Sequence, residues 1–515
     1  MKKITLYIAL FFPLWALVSC DLDTNPTTQV SGDGMFKSDK TAAVALNGIY
    51  RSMYTSGWTT SGNTHQCFGI SAYNIMADVM GEDMIMASQG SGWFWFDCVY
   101  TVKDAFSSKA FRPYDLWTAY NKWVADANYI IASADQMEGD TENVDNVVGQ
   151  AYAIRAYSYH YLASIFSRTY IGHENDPCVP IYTEPTLPST QGKPRSTVQE
   201  VYDLVLADID KAIELLEPTK DKNVHKSNIN YYVANGFKAR IALVINDWKS
   251  AAQSAKIARE RYEISGGEDL LKGMNDVDKK NVLWGSEIVP DQSGQYAGFF
   301  THLDATVVDK DGKPVQLYAN SAPKLINKQL YALMGDNDVR RSWWDTADKS
   351  APYIQRKFSF KNSQQWTGDY IWMRAEEMLL TEAEAECRLG NDVGARKLLT
   401  ELMQGRDSNY DVSKKSGTAL GKLTSDRTGS LLEEILTQRR IELWGEIGRI
   451  YDIKRLKQGF TRTEVMGWPK DALLDKTNTQ NPETYAWVMT IPQAEFDGNE
   501  SLDSKVDQNP IDDGI

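Results

Sequence analysis

The chain has 515 residues, and its 55 Lys and Arg against 69 Asp and Glu give a formal net charge of −14 at pH 7. The chain is acidic overall and contains no basic cluster. It therefore lacks the positive field that a nucleic-acid-binding groove needs, which excludes that class of protein. The length is ample for a large core, and the 15 Trp, 26 Tyr and 16 Phe residues permit an exposed aromatic surface in addition to that core.

The first twenty residues predict export and lipid anchoring. Lys2 and Lys3 precede an apolar run over 4–18 that is too short for a stop-transfer helix, and residues 17–20 (LVSC) close it. This sequence resembles the lipobox of bacterial lipoproteins, and the acidic residues behind it resemble the surface-export signal of Bacteroidetes lipoproteins. The resemblance implies a signal peptide over 1–19, lipidation at Cys20, a flexible leader over 20–34 and an outer-membrane location facing the extracellular side. An ordinary signal peptide followed by a chance cysteine is the alternative.

Helical periodicity dominates the rest of the chain and predicts a mainly α fold. Thr197 and Glu200 have the spacing of a capping box, and Gly390 has the position expected just after a helix end. The predicted helices come in pairs of roughly the 34-residue size of a tetratricopeptide repeat. They cover 39–54, 116–130, 148–166, 197–215, 232–244, 251–262, 369–389, 391–403 and 431–446. We therefore expect an N-terminal helical region over 35–264, an irregular aromatic-rich insertion over 265–368 and a C-terminal region over 369–515.

The cysteines outside the N-terminal segment are few and widely spaced. Cys67, Cys98, Cys178 and Cys387 form no CxxC pair, and the chain has only five histidines. This pattern argues against a zinc site or a disulfide framework, and we expect neither a metal nor another cofactor. A Cys67–Cys98 bridge and separate buried thiols remain as alternatives.

Three segments of the C-terminal half stand out in order: residues 373–385 (MRAEEMLLTEAEA), residues 438–455 (QRRIELWGEIGRIYDIKR), and IPQAEF at 491–496 followed by QNP at 508–510. Together they resemble motifs of the RagB/SusD family, surface lipoproteins that work with TonB-dependent outer-membrane transporters. The resemblance implies a scaffold of tetratricopeptide-like helix pairs with irregular ligand-binding segments packed on it. It also implies a SusC-like transporter as partner.

Charged residues in the second segment are expected to be structural. Arg439, Glu442, Arg449 and Asp452 can fall near one helix flank and pair across neighbouring turns. A glycosidase needs two carboxylates, one of them an acid of raised pKa, whereas arginines beside Glu442 and Asp452 should lower their pKa values. The sequence therefore does not favour an enzyme.

The aromatic run at 93–96 (WFWF) is the most unusual local sequence and the first candidate for ligand binding. In an extended conformation it places Trp93 and Trp95 on one face, so that indole rings can pack on sugar rings while nearby polar groups bond hydroxyls. In the family, ligand aromatics come from this region and from loops in the middle of the chain. The candidate ligand residues are Trp93, Trp95, Asp97, Asn74, Asp78, Tyr296, Phe299 and Phe300, with Trp343 and Trp344 as further candidates. The alternative is that these side chains are core residues.

The sequence as a whole favours a surface glycan-binding lipoprotein that captures oligosaccharides and delivers them to a partner transporter. Capture of oligopeptides, as by RagB-type members, is the main alternative. A surface endo-glycosidase and a scaffold for other proteins are further alternatives, each of which the sequence supports less.

Overall fold

The computed structural model describes residues 34–56, 63–101, 111–222 and 225–511. The predicted signal peptide and Cys20 lie outside the described residues, so lipidation stays a prediction. Within those ranges, no helix is long and apolar enough to span a bilayer.

Helices make up most of the ordered elements, which confirms the predicted mainly α class. The longer helices are α1 (Asp39–Ser52), α2 (Ile70–Val79), α4 (Phe111–Ala132), α5 (Thr141–Phe166), α6 (Val198–Leu216), α7 (Tyr231–Val244), α8 (Trp248–Arg259), α13 (Ala375–Arg388), α14 (Asp392–Met403), α15 (Leu431–Glu442) and α16 (Arg449–Arg455). The shorter ones are α3 (Trp95–Cys98), α9 (Glu268–Leu271), α10 (Phe299–Leu303), α11 (Tyr318–Ser321), α12 (Lys328–Tyr331) and α17 (Gln493–Gly498). The strands are β1 (Met84–Met86), β2 (Val282–Ser286), β3 (Lys324–Ile326), β4 (Trp344–Asp345), β5 (Ile354–Gln355) and β6 (Tyr370–Arg374).

The long helices pack mainly against helices adjacent in sequence, as the predicted pairs imply, and α8 also packs against α13 across the 265–368 segment. Helix α5 contacts α4 and α6, α8 contacts α7 and α13, and α13 also contacts α14 and α15. Because α5 is enclosed on several sides, nearly all of its second half is buried, and its Arg155 bonds Asp208 of α6 through two N–H···O contacts of 2.7 Å. Such a two-point pair satisfies the buried guanidinium and fixes one helix against the other.

Helix ends follow their predicted signals. Thr197 accepts the N–H of Glu200, whose side chain accepts the N–H of Thr197, so the capping box begins α6 as predicted. Gly390 follows α13 with a φ of 82°, a conformation that costs a residue with a Cβ more than it costs glycine.

Residues 370–374 differ from the prediction. The sequence predicts a continuous helix over 369–389, but the first part is strand β6, which pairs antiparallel with β2, and α13 begins only at Ala375. Aromatic residues favour a half-buried strand here, and Trp372 packs against Trp284 of β2 with ring centroids 4.6 Å apart.

A four-stranded sheet of order β1-β3-β5-β4 brings the two irregular regions together. Strand β1 pairs antiparallel with β3, with Met86 opposite Lys324. The chain leaving β1 and the chain entering β3 therefore emerge at the same end of the ladder, where Ala87 N–H bonds Pro323 O at 3.0 Å. This pairing places the 93–96 run beside residues close to 318.

The C-terminal motif forms two helices instead of one. Helix α15 ends at Glu442 and α16 begins at Arg449, because Gly445 and Gly448, with φ values of 80° and 81°, turn the chain between them. The prediction of a single helix flank is therefore wrong. The expected pairing does occur, now between helices, with Arg439 Nε 2.9 Å from Asp452 Oδ2.

Glu442 is the centre of a buried charge network. Its carboxylate accepts hydrogen bonds from Arg340, Arg374 and Arg406 at 2.8–3.0 Å, and all four side chains are buried. Burial opposes ionisation, but the three guanidinium groups outweigh it and hold the pKa of Glu442 well below its usual range. The network joins α15 to β6 and to loops on two sides, so it stabilises the scaffold.

The four cysteines in the described chain are buried thiols, and no disulfide joins Cys67 to Cys98. Met76, Met80 and Met84 are also buried and fill the core.

Candidate ligand-binding site

The 93–96 run is a tight turn followed by a helical turn, so the predicted extended conformation is wrong. Gly92 and Phe94 both have positive φ, of 86° and 63°, and α3 starts at Trp95. Trp93 stays partly exposed, whereas Trp95 is 6 % exposed and belongs to the core. The two indoles therefore do not share one exposed face.

Arg112 explains the turn. Its guanidinium bonds both carboxylate oxygens of Asp97 at 2.9 and 3.1 Å and also bonds Gln66 O at 2.9 Å. The Gln66 side chain in turn accepts the N–H of Phe94 at 2.8 Å. Because these groups are buried, the chain wraps around the guanidinium, and Asp97 is committed to this ion pair.

Four rings from four separate segments lie in contact and form what we call the aromatic cluster: His65, Trp93, Tyr296 and Tyr318. His65 stacks on Trp93 with ring centroids 5.1 Å apart, and Tyr318 lies 5.7 Å from His65, 6.1 Å from Trp93 and 5.6 Å from Tyr296. Tyr296 is 49 % exposed, and the other three rings are partly exposed. The cluster thus presents ring faces to solvent, although the indole nitrogen of Trp93 is itself buried.

The aromatic cluster rests on a buried floor. His302 lies below it, stacked on Phe68 at 5.7 Å and tilted against Tyr318 at 4.9 Å. Burial, with a smaller contribution from the charge of Lys324, lowers the pKa of His302 well below its ordinary value, so the imidazole is neutral. Its Nε2 lies 2.7 Å from His65 O, and since only an N–H can bond a carbonyl, Nε2 carries the hydrogen.

A hydrogen bond fixes two cluster rings relative to each other. Tyr318 Oη and His65 Nδ1 are 2.9 Å apart, although 253 positions separate the residues. Held in this way, the rings need little ordering on binding, which reduces the entropic cost of association.

The structure buries most of the other predicted ligand residues. Asn74 donates to Glu446 O at 2.7 Å, and Asp78 accepts the N–H of Arg449 at 2.8 Å. Phe299 and Phe300 belong to the short helix α10, where Tyr370 Oη accepts the N–H of Phe299. Asn74, Asp78, Trp95, Asp97, Phe299, Phe300, Trp343 and Trp344 are all less than a tenth exposed. A ligand role for these residues stays a prediction that their burial does not favour, although Phe299 and Phe300 line a cavity beside Tyr296.

Of the predicted residues, Trp93 and Tyr296 lie together and are accessible. His65 and Tyr318 complete the site, and no local pattern marks them. The pairing of β1 with β3 brings the segments around 93 and 318 to one place and could have indicated Tyr318. His65 is placed by distant contacts, the bond from His302 to its carbonyl and the bond from Arg112 to Gln66 O.

Comparison with known proteins identifies the family. A family model described as "SusD family" matches residues 244–511, just over half of the chain, and one described as "Starch-binding associating with outer membrane" matches residues 70–243. The chain belongs to the SusD family. The SusD motif over 438–455 thus corresponds to α15, α16 and the buried network around Glu442.

Relatives of the SusD family match along nearly the whole chain. SusD-like protein P38 of Formosa agariphila is 22 % identical, over 90 % of this chain and 93 % of the relative. A SusD-like carbohydrate binding protein from Bacteroides vulgatus has a TM-score of 0.73 at 24 % identity, covering 91 % and 98 % of the two chains. Surface glycan-binding protein A from Bacteroides thetaiotaomicron, solved with laminarihexaose, has a TM-score of 0.66 at 16 % identity, covering 92 % and 99 %. At these identities the solved structures show that the fold is shared.

Proposed function

We propose that this SusD-family protein captures oligosaccharides on the aromatic cluster at the cell surface and delivers them to a partner TonB-dependent transporter. The observation that carries the proposal is the cluster itself, with its partly exposed Trp93, Tyr296 and Tyr318 rings held by a buried floor. The C–H faces of sugar rings pack on aromatic faces, and sugar hydroxyls bond to the ring edges. The complex of the Bacteroides thetaiotaomicron relative with laminarihexaose supports the same ligand class.

The protein acts by binding and carries out no chemistry of its own. A glycosidase needs one carboxyl of raised pKa opposite a second carboxylate. Glu442 is held ionised by three arginines, and Arg439 and Arg455 lower the pKa of Asp452 against the effect of burial. Neither carboxyl suits a general acid, and Asp78, a carboxyl whose pKa burial raises, is only 4 % exposed.

Anchoring at Cys20 keeps the capture site at the membrane. Each buried lipid methylene contributes about 0.8 kcal/mol, so several acyl chains on one cysteine tether a chain of this size. The family description of proteins associated with the outer membrane supports this location. A ligand held at the surface is then positioned for transfer to a transporter in the same membrane.

Isothermal titration with maltooligosaccharides and laminarioligosaccharides tests the capture site. We expect Trp93→Ala to weaken binding about five- to tenfold, because one stacked aromatic contact contributes about 1–1.5 kcal/mol. Trp248→Ala is the matched control, since Trp248 is also partly buried but packs against Arg388 on α13, and its loss should leave affinity unchanged. Unchanged affinity in Trp93→Ala at an unchanged melting temperature contradicts the proposal. Binding of oligopeptides by the wild type, with no glycan bound, favours the peptide alternative.

A further inference from the structure

An open cavity adjoins the aromatic cluster through a shared residue. The cavity has a volume of about 400 Å³, and its walls come from the end of α1 and the segment after it, from residues 291–301 and from residues 360–370. Tyr296, nearly half exposed, lines the cavity and also belongs to the aromatic cluster. The cavity and the cluster are therefore contiguous surfaces, with Tyr296 as their common wall.

The cavity combines aromatic faces with polar groups of both charges. Trp366 and Phe360 form an edge-to-face pair with ring centroids 5.5 Å apart, and both are partly exposed. Arg51 and Asp291 line the same space and are exposed, and neither forms an ion pair with another described residue. Such a wall can offer hydrogen-bond donors and acceptors without net charge, which suits a neutral polyol better than an anion.

Two strained residues shape the cavity wall. Ala297 and Trp366 have φ values of 59° and 58°, in the left-handed region that residues with a Cβ rarely adopt. Each conformation has an energetic cost that the surrounding contacts must offset, and strain of this kind clusters at ligand sites. At Trp366 the strain accompanies an indole that is partly exposed on the cavity wall.

We propose that the cavity is a second subsite, which takes the end or a branch of the same neutral oligosaccharide whose neighbouring units stack on the aromatic cluster. This inference rests on the proposed function and adds a minimum ligand length to it. The cavity volume lies within the range of about 300–1,000 Å³ typical of small-molecule pockets, which is room for a terminal sugar unit or two. The net charge of −14 also disfavours polyanionic glycans.

Binding as a function of ligand length tests the subsite. Isothermal titration with maltooligosaccharides and laminarioligosaccharides, from disaccharide to hexasaccharide, should show wild-type affinity rising with length. Trp366→Ala should reduce affinity for the longest bound oligosaccharide about tenfold and leave the shortest one unaffected. Trp93→Ala should weaken the binding of every length. Asp291→Asn changes an exposed side chain and provides a second variant that is not expected to affect folding; it should lower affinity for long ligands only.

A measurement on the wild-type chain does not depend on the variants. Hydrogen–deuterium exchange with the longest ligand should show protection of residues 291–298 and 360–368, and the shortest bound ligand should not protect 360–368. One outcome separates the two proposals: long ligands bind the wild type and bind Trp93→Ala more weakly, but both cavity variants bind them normally and residues 360–368 gain no protection. In that case the subsite proposal is overturned and the proposed function stands. If the wild type binds no glycan of either series, both are overturned.

Discussion

Replacing Asp78 by Asn should stabilise the protein at neutral pH. Asp78 lies on α2 and is 4 % exposed; its Oδ1 accepts the N–H of Arg449 at 2.8 Å, and its Oδ2 has no hydrogen-bond partner among the described residues. Burial, opposed mainly by the hydrogen bond from Arg449, raises the pKa of Asp78 from 3.8 to about 8. The folded protein therefore keeps this carboxyl largely protonated at pH 7, whereas the unfolded chain ionises it.

The magnitude follows from the linkage between proton binding and folding. Because the pKa of Asp78 is higher in the folded than in the unfolded protein, protonation of this carboxyl favours folding. Its contribution to the free energy of unfolding is fully present below pH 3.8 and is lost as the pH rises towards 8. At about 1.4 kcal/mol per pKa unit, the loss reaches at most about 4 kcal/mol at pH 7. Asn does not ionise and avoids this loss, but its buried amide N–H groups lack partners, which costs about 1–3 kcal/mol. The net effect of Asp78→Asn is a gain of about 1–3 kcal/mol at pH 7 and a small loss near pH 4.

Thermal melts of wild type and Asp78→Asn across pH 4–8 measure this crossover. Asp97→Asn is the matched control, because Asp97 is equally buried but bonds Arg112 through both oxygens, and its loss should cost about 3–5 kcal/mol at pH 7. A lower melting temperature for Asp78→Asn at pH 7, or a difference that does not change with pH, refutes the reasoning. Loss of glycan affinity without loss of stability restores Asp78 as a ligand residue.

Three further predictions concern the scaffold and the membrane. Cys20→Ala should abolish acylation and release the protein from the membrane fraction in cells that lack the transporter; retention there contradicts the lipoprotein assignment. Mild-detergent pull-down from outer membranes should recover a TonB-dependent transporter, and its absence counts against the proposed delivery. Glu442→Gln should lower the free energy of unfolding by about 3–5 kcal/mol, because three buried guanidinium groups lose their common anion. Glu382→Gln is the control, because the partner of Glu382, Arg259, is partly exposed; this variant should lower the free energy of unfolding by only about 1 kcal/mol. Equal losses in the two variants contradict the central role of Glu442.

The helical scaffold was predictable because its signals are local. Apolar periodicity marks α4 through α8, and the capping box at Thr197 and the glycine at 390 place two helix ends correctly. The same reasoning failed at 370–374 and at 445–448. At 370–374, pairing with β2 outweighed helix propensity. At 445–448, two glycines with positive φ end one helix and begin another, although the charge pattern predicts a single helix.

The candidate site was only half predictable because its geometry is set by distant contacts. The WFWF alternation indicates a strand, but nothing near it in sequence shows that Arg112 will draw Asp97 and Gln66 around one guanidinium. Trp93 was predicted from its unusual local sequence and Tyr296 from the family resemblance, and the structure places the two in one cluster. Tyr318 enters the cluster through the pairing of β1 with β3, whereas His65 is held by the bond from His302 to its carbonyl and by the bond from its side chain to Tyr318.

The two parts of the molecule should therefore respond differently to substitution. The buried network around Glu442 ties α15 to β6 and to loops at 340 and 406, so its loss affects folding as a whole. Trp93 and Tyr318 of the aromatic cluster lie on segments that adjoin the β1–β3 ladder, and the exposed ring faces of the cluster take no part in the charge network. Under the proposed function, changes of ring type at 93, 296 or 318 should alter which ligand is bound at little cost in stability, since binding residues on loops are positioned by a rigid scaffold. This separation is why affinity and melting temperature, measured on the same variants, distinguish a residue that binds ligand from one that holds the fold.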